Sequence, residues 1–252
     1  MTFNRNTFTA ENSDLPDNNV LCIALASEDT IWVGTENGLA RLQQGQWEVL
    51  RKETIGCASD RIYEAKVTSD GAVWFLIGSS YQMPEVARYY QGEWQVFEKN
   101  GRIPGKKLWD WLAAPDGALW VSTDEGLSRF FEGKWQHFSN ADMGISQIKR
   151  GDWVYDRALA ATPDGTVYVG VSGAGMLSRL KDGKWQLFTP ENSGLPYNWV
   201  QTFRIEHDKA LWILSEGNLV RFQQNQWQVY APKDLDLPEN DFVKDEKGIQ
   251  NS

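Results

Sequence analysis

The chain has 252 residues and a formal net charge of −9, and 41% of its residues are hydrophobic. This length suits one all-β domain with a sizeable core, and 13 tryptophans indicate that large side chains fill much of it. The acidic balance argues against nucleic acid and against an anionic membrane surface as partners. No run of about 18 apolar residues occurs, so no membrane insertion is expected.

The first clear unit begins with an apolar run, VLCIAL from Val20, which predicts a strand buried on both faces. The next segment, TIWVGT, is rich in β-branched and aromatic residues and predicts a second strand. LARLQ and QWEVL predict a third and a fourth strand, separated by turns at Glu36-Asn37-Gly38 and Gln44-Gly45. Four antiparallel strands of this kind are typical of a propeller blade.

The same unit recurs five times along the chain. Each copy has an aromatic residue in its second strand, an arginine in its third, and a tryptophan six residues after that arginine. Successive arginines lie 41 to 50 residues apart; they are Arg41, Arg88, Arg129, Arg179 and Arg221. A period of this length built from short strands indicates a propeller. The sequence therefore predicts an all-β fold, a β-propeller of four-stranded antiparallel blades with five full repeats.

We expect one propeller domain over residues 1–252. Its full repeats are expected at about 17–56, 60–104, 106–151, 154–196 and 198–236, with partial repeats at 3–16 and 237–252. The opening TFTAENS, from Thr7, nearly repeats LFTPENS, from Leu187. Three arrangements remain open: five blades close a ring, the two ends form a hybrid or partial sixth blade, or the chain is a segment of a longer array.

Turn residues give each blade two different ends. The first hairpin carries Asp-Gly from Asp70, Asp116 and Asp164, which predicts type I′ turns with two positive φ angles. The last hairpin carries glycine in four repeats and Asn225 in the fifth, because asparagine tolerates the same left-handed conformation. The loop between strands two and three varies in length and lies at the opposite end. We expect binding at this variable-loop end.

Aromatic and polar residues outside the repeat frame cluster near the starts of the predicted inner strands, around the expected channel mouth. Trp111 aligns with the apolar Ile23 and Phe203, so blade packing is expected for it. For the other aromatics, ligand contact and blade packing both remain open. Aromatic platforms with flanking polar groups suit a saccharide or a peptide. The predicted ligand-binding residues are Arg61, Lys107, Trp109, Trp153, Tyr155, Arg157 and Trp199.

No catalytic or metal-binding constellation is recognisable. His137 is predicted on an outer strand and His207 in a turn, so the two cannot assemble a histidine-rich zinc site. One aspartate per Asp-Gly turn supplies too few oxygens for calcium. The five arginines recur in every blade, which favours a structural role over an anion-binding one. We therefore expect no cofactor, no metal and no enzymatic activity.

The pattern L-P-x-N-x-V, D-G-x-[LV]-W-[IV]-[GS]-T, G-L-x-R and G-x-W resembles the two-component regulator propeller repeat. Leu15–Val20, Ile31–Thr35 and Gly38–Arg41 carry the first copy. The resemblance implies a sensor-type propeller that binds a saccharide, with fusion to or association with a signalling protein. Two locations stay open: the cytoplasm for the chain as it stands, and outside the cytoplasm for a domain cut from a longer sensor.

The blade style is also similar to that of the streptogramin lyases. That similarity implies a lyase-like enzyme as the alternative function, and a protein-interaction scaffold is a second alternative. A saccharide, a peptide or a protein therefore remains the expected partner.

Overall fold

The structure is a computed structural model, and it describes residues 7–78, 84–97, 103–145, 157–171, 176–196, 200, 202–206, 210–215 and 217–234. Apart from a short helix α1 (Lys52–Ile55) and a 3-10 turn (Pro232–Asp234), all regular structure in these ranges is β. Neither of these short helical segments has the length or apolar character that a membrane crossing requires.

Twenty strands in the described ranges form five four-stranded antiparallel sheets, and each sheet follows chain order as a meander. The first three sheets are blade 1 with β1 (Val20–Ser27), β2 (Thr30–Thr35), β3 (Gly38–Gln43) and β4 (Gln46–Leu50), blade 2 with β5 (Ile62–Val67), β6 (Val73–Ile77), β7 (Glu85–Tyr90) and β8 (Glu93–Phe97), and blade 3 with β9 (Leu108–Ala113), β10 (Leu119–Thr123), β11 (Gly126–Phe131) and β12 (Lys134–Ser139).

The other two sheets are blade 4 with β13 (Arg157–Ala161), β14 (Val167–Val171), β15 (Met176–Lys181) and β16 (Lys184–Phe188), and blade 5 with β17 (Thr202–Ile205), β18 (Leu211–Ser215), β19 (Asn218–Gln223) and β20 (Gln226–Tyr230). The predicted all-β fold with five four-stranded antiparallel blades is confirmed.

The chain divides into two compact units, residues 1–138 and residues 139–252. The first unit contains blades 1 to 3, and the second contains blades 4 and 5. Inside each unit the first strands of neighbouring blades contact one another: β1 meets β5, β5 meets β9, and β13 meets β17. The first strands are therefore the inner strands, as the repeat predicts.

Each blade has two different faces, because side chains alternate across a strand. We call the face that carries Trp32 and Arg41 in blade 1 the front face, since these residues are register partners on β2 and β3. The back face carries Ile23, Val33 and Ala40, which are register partners on β1, β2 and β3. Corresponding residues define the two faces in every other blade.

The front face of blade 1 packs on the back face of blade 2. Trp32 is 1% exposed, and its ring lies edge-on to Phe75 with centroids 5.4 Å apart. Arg41 lies over the Trp32 ring, and its Nη1 donates a hydrogen bond of 2.8 Å to the Tyr89 hydroxyl. The arginine therefore donates a hydrogen bond to a half-buried hydroxyl and lies over an aromatic ring at the same time.

The same arrangement recurs at the other interfaces inside the units. Trp74 on the front of blade 2 lies 5.0 Å from Phe130 on the back of blade 3. Tyr168 on the front of blade 4 lies 6.4 Å from Phe222 on the back of blade 5. Buried aromatic pairs of this kind contribute about 0.5–1.5 kcal/mol beyond the area they bury. The repeated aromatic–arginine frame is thus the contact that joins one blade to the next.

The turn types differ from the prediction at the first hairpin. Gly71 has φ 84° whereas Asp70 is not left-handed, and the Gly71 N–H donates to the Thr68 carbonyl. This is a four-residue turn in which the Asp70 carboxylate accepts from the Thr68 hydroxyl and the Ala72 N–H. The type I′ prediction was wrong here, because the aspartate serves as an acceptor and does not need a positive φ.

At the last hairpin the prediction is confirmed. Both turn residues are left-handed in all five blades; in blade 1 they are Gln44 (φ 50°) and Gly45 (φ 79°). In blade 5 the second turn residue is Asn225, with φ 62°. Asparagine therefore takes the left-handed position that glycine takes in the other four blades.

The prediction that β1 is buried on both faces was wrong. Ala24, on its front face, is 7% exposed, but Ile23 and Leu25 on its back face are 62% and 68% exposed. An apolar run is buried on both faces only where both faces of the blade have a neighbour. Within the first unit, blade 2 covers the front face of blade 1, whereas Ile23 and Leu25 on the back face are exposed.

Gly170 on β14 offers a test of the blade 4–blade 5 contact. A Cβ at this position would lie 2.3 Å from the Phe203 ring, so Gly170→Ala should cost about 1–3 kcal/mol through overpacking. In a Phe203→Leu background the clash is relieved, and we expect the cost of Gly170→Ala to fall by about half or more. Urea unfolding of the four variants measures both values. Equal costs in both backgrounds would contradict the contact.

The Asp164 turn predicts a pH dependence. Hydrogen bonds from the Thr162 hydroxyl and then from Thr166 lower the pKa of Asp164 from 3.8 to about 2. Because the folded pKa is depressed, this stabilisation is complete above about pH 4 and is lost as the pH falls towards 2. Urea midpoints between pH 2 and 5 should show wild type exceeding Asp164→Asn at pH 5, with the gap closing near pH 2. A gap that is constant with pH would refute this.

Candidate functional site

The β2–β3 turn and the start of β5 meet at the variable-loop end of blades 1 and 2. Arg61, which precedes β5, donates from Nε to the Glu36 carboxylate at 2.8 Å and from Nη1 to the Gly78 carbonyl at 2.9 Å. The side chains of Arg61 and Glu36 are 31% and 37% exposed. The guanidinium is therefore fixed in direction yet reaches solvent.

Tyr63 lies beside this arginine on the inner strand of blade 2. The Arg61 guanidinium carbon is 5.6 Å from the centre of the Tyr63 ring. Burial, and then the negative charge of Glu64, raise the pKa of Tyr63, so its hydroxyl stays protonated at neutral pH. This corner offers an aromatic ring, a cation and a carboxylate side by side.

A second cluster lies at the same end of blade 3. The Lys107 ammonium is 5.8 Å from the centre of the Trp109 ring. The Asp124 carboxylate, in the β10–β11 turn, accepts hydrogen bonds from the backbone N–H groups of Lys106 and Lys107, at 2.7 and 3.0 Å. These bonds hold the segment that leads into β9, so the exposed Lys107 side chain projects from a fixed backbone.

The second unit contributes less to the described geometry. Trp153, Tyr155 and Trp199 lie outside the described residues. Arg157 is the first residue of β13, where it is the register partner of Val171. Of the seven predicted residues, the structure thus gives side-chain contacts for Arg61, Lys107 and Trp109. Ligand contact by any of the seven stays a prediction.

The indole N–H of Trp109 is buried, and it has no hydrogen-bond partner within the described part of the chain. The same holds for Trp111, Trp120 and Trp135, which belong to or border the blade core. Because this feature recurs at structural tryptophans, it does not mark Trp109 as a ligand donor. Trp109 is half-buried, as Trp135 is, whereas Trp111 and Trp120 are buried.

Trp111 packs in the core, as its alignment with apolar residues predicts. It is 2% exposed and belongs to the cluster that contains Trp74 and Phe130. Lys66 from blade 2 covers it, with the ammonium 4.9 Å from the ring centre and 2.6 Å from the Trp111 carbonyl oxygen. This tryptophan is part of the blade 2–blade 3 interface.

Sequence reasoning missed two acidic residues at this end. Glu36 and Asp124 occupy the same position of the repeat, directly after the last residue of the second strand, and each binds the segment that begins an inner strand. The available signal was an acidic residue recurring in the variable-loop turn. In a single copy such a residue indicates only a turn.

Grooves between blades occur at the opposite end, beside the Asp-Gly turns. One of about 480 Å³ is lined by Asp70, Trp74, Arg88 and Phe130, and a similar groove in the second unit is lined by Asp164 and other residues of blades 4 and 5. In the first groove Arg88 is paired with Asp70 at 3.2 Å. Because the grooves repeat with the blades, they follow from blade packing and do not identify one asymmetric site.

The two histidines are the first candidates for catalytic groups. His137 lies exposed on the outer strand β12, where its Nδ1 is 3.3 Å from the Ser128 hydroxyl, as the outer-strand prediction requires. His207 lies outside the described residues. Within the described ranges no group of three or more histidine, cysteine, aspartate or glutamate residues is placed to hold a metal ion.

Both cysteines are free thiols. Burial raises the pKa of Cys22 to about 11 and also raises that of Cys57, so both thiols remain protonated at neutral pH.

The family model for the two-component regulator propeller matches residues 14–37, which are the L-P motif and strands β1 and β2. The chain carries a two-component regulator propeller repeat. This match confirms the resemblance inferred from the sequence. No curated protein matches the chain by sequence.

Solved structures share the fold of this propeller. Virginiamycin B lyase from Staphylococcus aureus is 14% identical, with a TM-score of 0.55 over 84% of this chain and 70% of the lyase. The extracellular domain of a hybrid two-component system from B. thetaiotaomicron is 18% identical, with a TM-score of 0.54 over 88% of this chain and 31% of that one.

A structure of YCF48 bound to D1 peptide is 15% identical, with a TM-score of 0.54 over 85% of this chain and 68% of that one. At such low identities these three likenesses show the fold alone. That fold is a β-propeller, as the sequence predicted.

A pair of substitutions separates packing from surface roles at this end of the molecule. Trp111→Ala should cost about 3–5 kcal/mol because it empties a core position. Arg61→Gln should cost about 1 kcal/mol or less, because its ion pair with Glu36 is partly exposed to solvent. Urea unfolding measures both free energies. A cost for Arg61→Gln comparable to that of Trp111→Ala would show that Arg61 is a scaffold residue.

Proposed function

We propose that this chain is a non-catalytic, ligand-binding propeller of the sensor type, which takes a peptide or a saccharide at its variable-loop end. The observation that carries the proposal is the contrast between the two ends. Residues beside the Asp-Gly turns repeat from blade to blade, whereas those that begin the inner strands differ in every blade. An asymmetric ligand needs different side chains from the different blades that surround it.

The chemistry of the first unit supports a peptide as the preferred ligand class. Arg61 is held by Glu36 and the Gly78 carbonyl, so its remaining N–H groups can donate to a carbonyl or carboxylate without further ordering. Lys107 adds an exposed cation beside the ring of Trp109. Fixed donors, a cation and an aromatic platform match the backbone and side chains of an extended peptide.

Propeller relatives support the same choice at the level of fold. The YCF48 structure holds the D1 peptide, and the two-component relative is an extracellular domain. In the second unit we assign Trp153, Tyr155, Arg157 and Trp199 to the same role, because they precede or begin the first strands of blades 4 and 5. Fusion to or association with a signalling protein would then transmit occupancy of the site.

A lyase-like activity is the competing function, because virginiamycin B lyase shares the fold. Such chemistry needs an acid or base within hydrogen-bond reach of a substrate at the mouth. His137 is on β12, the outer strand of blade 3, which two strands separate from the inner strand β9. A protein-interaction scaffold is the remaining alternative, and it shares the expectation of a polypeptide partner.

Peptide and glycan arrays probed with the labelled wild-type chain test the proposal. For a peptide found this way, Trp109→Ala and Arg61→Gln should each weaken binding about tenfold or more, or about 1.4 kcal/mol, since aromatic and arginine anchors dominate interfaces. Titration calorimetry gives the affinities. Both variants should retain the wild-type melting temperature within a few degrees.

Glu93→Ala is the matched control, because Glu93 lies exposed at the start of β8, at the opposite end of blade 2. Its affinity should equal that of wild type. Unchanged affinity in Trp109→Ala and Arg61→Gln would reject the site. Glycans binding in place of peptides would reassign the ligand class, and turnover of a bound ligand would reject the non-catalytic assignment.

A further inference from the structure

The grooves between blades follow from blade packing, but their charged linings are not the same. In the described ranges, the groove between blades 2 and 3 is lined by three carboxylates and one arginine. The groove between blades 4 and 5, of about 330 Å³, is lined by two cations, Arg179 and Lys181, and by one carboxylate, Asp164. On a chain with a net charge of −9, this second groove therefore offers an anion a local field that the first does not.

In blades 1 to 3 the repeated arginine pairs with a carboxylate. Arg88 and Arg129 pair with the aspartates of their own first hairpins, at 3.2 and 3.0 Å. Arg41 pairs with Glu48 on the neighbouring strand. Arg88 and Arg129 also lie over the aromatic ring two positions further along the strand, with their guanidinium carbons 4.2 and 4.4 Å from its centre. The charge of each of these arginines is thus balanced inside the blade.

Blade 4 departs from this pattern. Arg179 donates from Nη1 to the Asn225 side-chain oxygen at 2.9 Å and from Nη2 to that of Gln186, and both partners are neutral amides. Two positions further along the strand, where blades 2 and 3 have an aromatic residue, blade 4 has Lys181. Within the described ranges, neither Arg179 nor Lys181 forms an ion pair with a carboxylate.

Asp164 is the one negative group in the described lining, and its carboxylate is engaged within its own turn. It accepts hydrogen bonds from the Thr162 hydroxyl and from the Thr166 N–H. The Thr162 bond first, and then Thr166 and the charge of Lys181, lower the pKa of Asp164 to about 2, so it is ionised at neutral pH. It must repel an anion in the groove, but two cations against one carboxylate leave this lining with a net positive charge.

The Arg179 guanidinium is held in direction by its surroundings. It lies over the Phe188 and Phe222 rings, with its central carbon 5.2 and 5.8 Å from their centres. Asn225, which stands where the other four blades have glycine, brings its amide from blade 5 to this arginine. Two of the five guanidinium N–H groups donate to the two amides. Because Arg179 is only half-buried, its remaining groups can donate to a ligand at little further ordering cost.

We propose that the groove between blades 4 and 5 binds the carboxylate group of a small acid, with Arg179 and Lys181 as the cations that recognise it. This site lies at the Asp-Gly turn end, so it is separate from the site at the variable-loop end and does not depend on it. Two sources carry such a group, the side chain of an acidic amino acid and a sugar acid. A groove of this volume admits either.

Two probes distinguish the sources, sodium glucuronate and N-acetylglutamate amide. Each has a neutral twin of the same shape, glucuronamide and N-acetylglutamine amide, in which an amide replaces the carboxylate. They are titrated at constant ionic strength into the isotopically labelled full chain, and the NMR signals of the Lys181 and Asn225 backbone amides report binding. A partly exposed ion-pair site predicts a dissociation constant of about 1–10 mM for at least one acid. The acid that binds identifies the source, and binding by both shows that the carboxylate alone is recognised.

Lys181→Gln should weaken binding at least about threefold, because one of two cations is lost. Gln43 and Gln223 occupy the same position in blades 1 and 5, so the blade tolerates glutamine there. Asp164→Asn should tighten binding at least about twofold, because it removes a repelling charge while its side-chain oxygen still accepts hydrogen bonds. Lys134→Gln, at the exposed start of β12 in blade 3, is the matched control with the same change in net charge. It should bind as wild type does.

Arg179→Gln should weaken binding at least about tenfold, because it removes charged hydrogen-bond donors. Arg179 also packs on two rings, so Lys181→Gln and Asp164→Asn carry the test if this variant does not fold. No saturable shift with either acid up to about 50 mM, or equal binding of an acid and its neutral twin, would overturn the carboxylate site. Equal losses in Lys181→Gln and Lys134→Gln would overturn it too, since net charge and not the groove would then control binding.

Discussion

Front-to-back packing of one blade on the next is the interaction on which the rest of the structure depends. A single four-stranded sheet of this length has apolar residues on both faces, so it cannot bury them alone. Trp32 and Arg41 on one blade, and Phe75 and Tyr89 on the next, form one contact of an edge-on ring pair and a half-buried hydrogen bond. Repeating the aromatic part of that contact requires similar residues in each blade, which is why the sequence repeats.

This dependence explains how much of the fold the sequence reveals. The number of blades, the strand order and the left-handed hairpins were predictable, because every copy packs against a neighbouring blade and needs left-handed residues in its last hairpin. The Asp-Gly turns were assigned to the wrong type, since the dipeptide alone does not tell whether the carboxylate will accept hydrogen bonds. In the structure Asp70 does so from Thr68 and Ala72.

Burial of an inner strand was not predictable from its own composition. VLCIAL has the apolar character of a doubly covered strand, yet Ile23 is exposed because cover depends on what lies behind the blade. The candidate site was only partly predictable for a related reason. Arg61 and Lys107 stand out as charges at inner-strand starts. Glu36 binds the Arg61 side chain and Asp124 binds the Lys107 backbone N–H, but both acidic residues lie in turns that are 25 and 17 positions away along the chain.

The repeated arginines of the blades and the charged residues at the variable-loop end differ in how their charges are paired. Arg88 and Arg129 pair with Asp70 and Asp116 and lie over aromatic rings, so these repeated cations are engaged within the scaffold. An anion bound by these two arginines would have to displace both kinds of contact. Free donors remain where the repeat is broken, at the variable-loop end, and there a ligand can gain binding energy without loosening the contacts that join the blades.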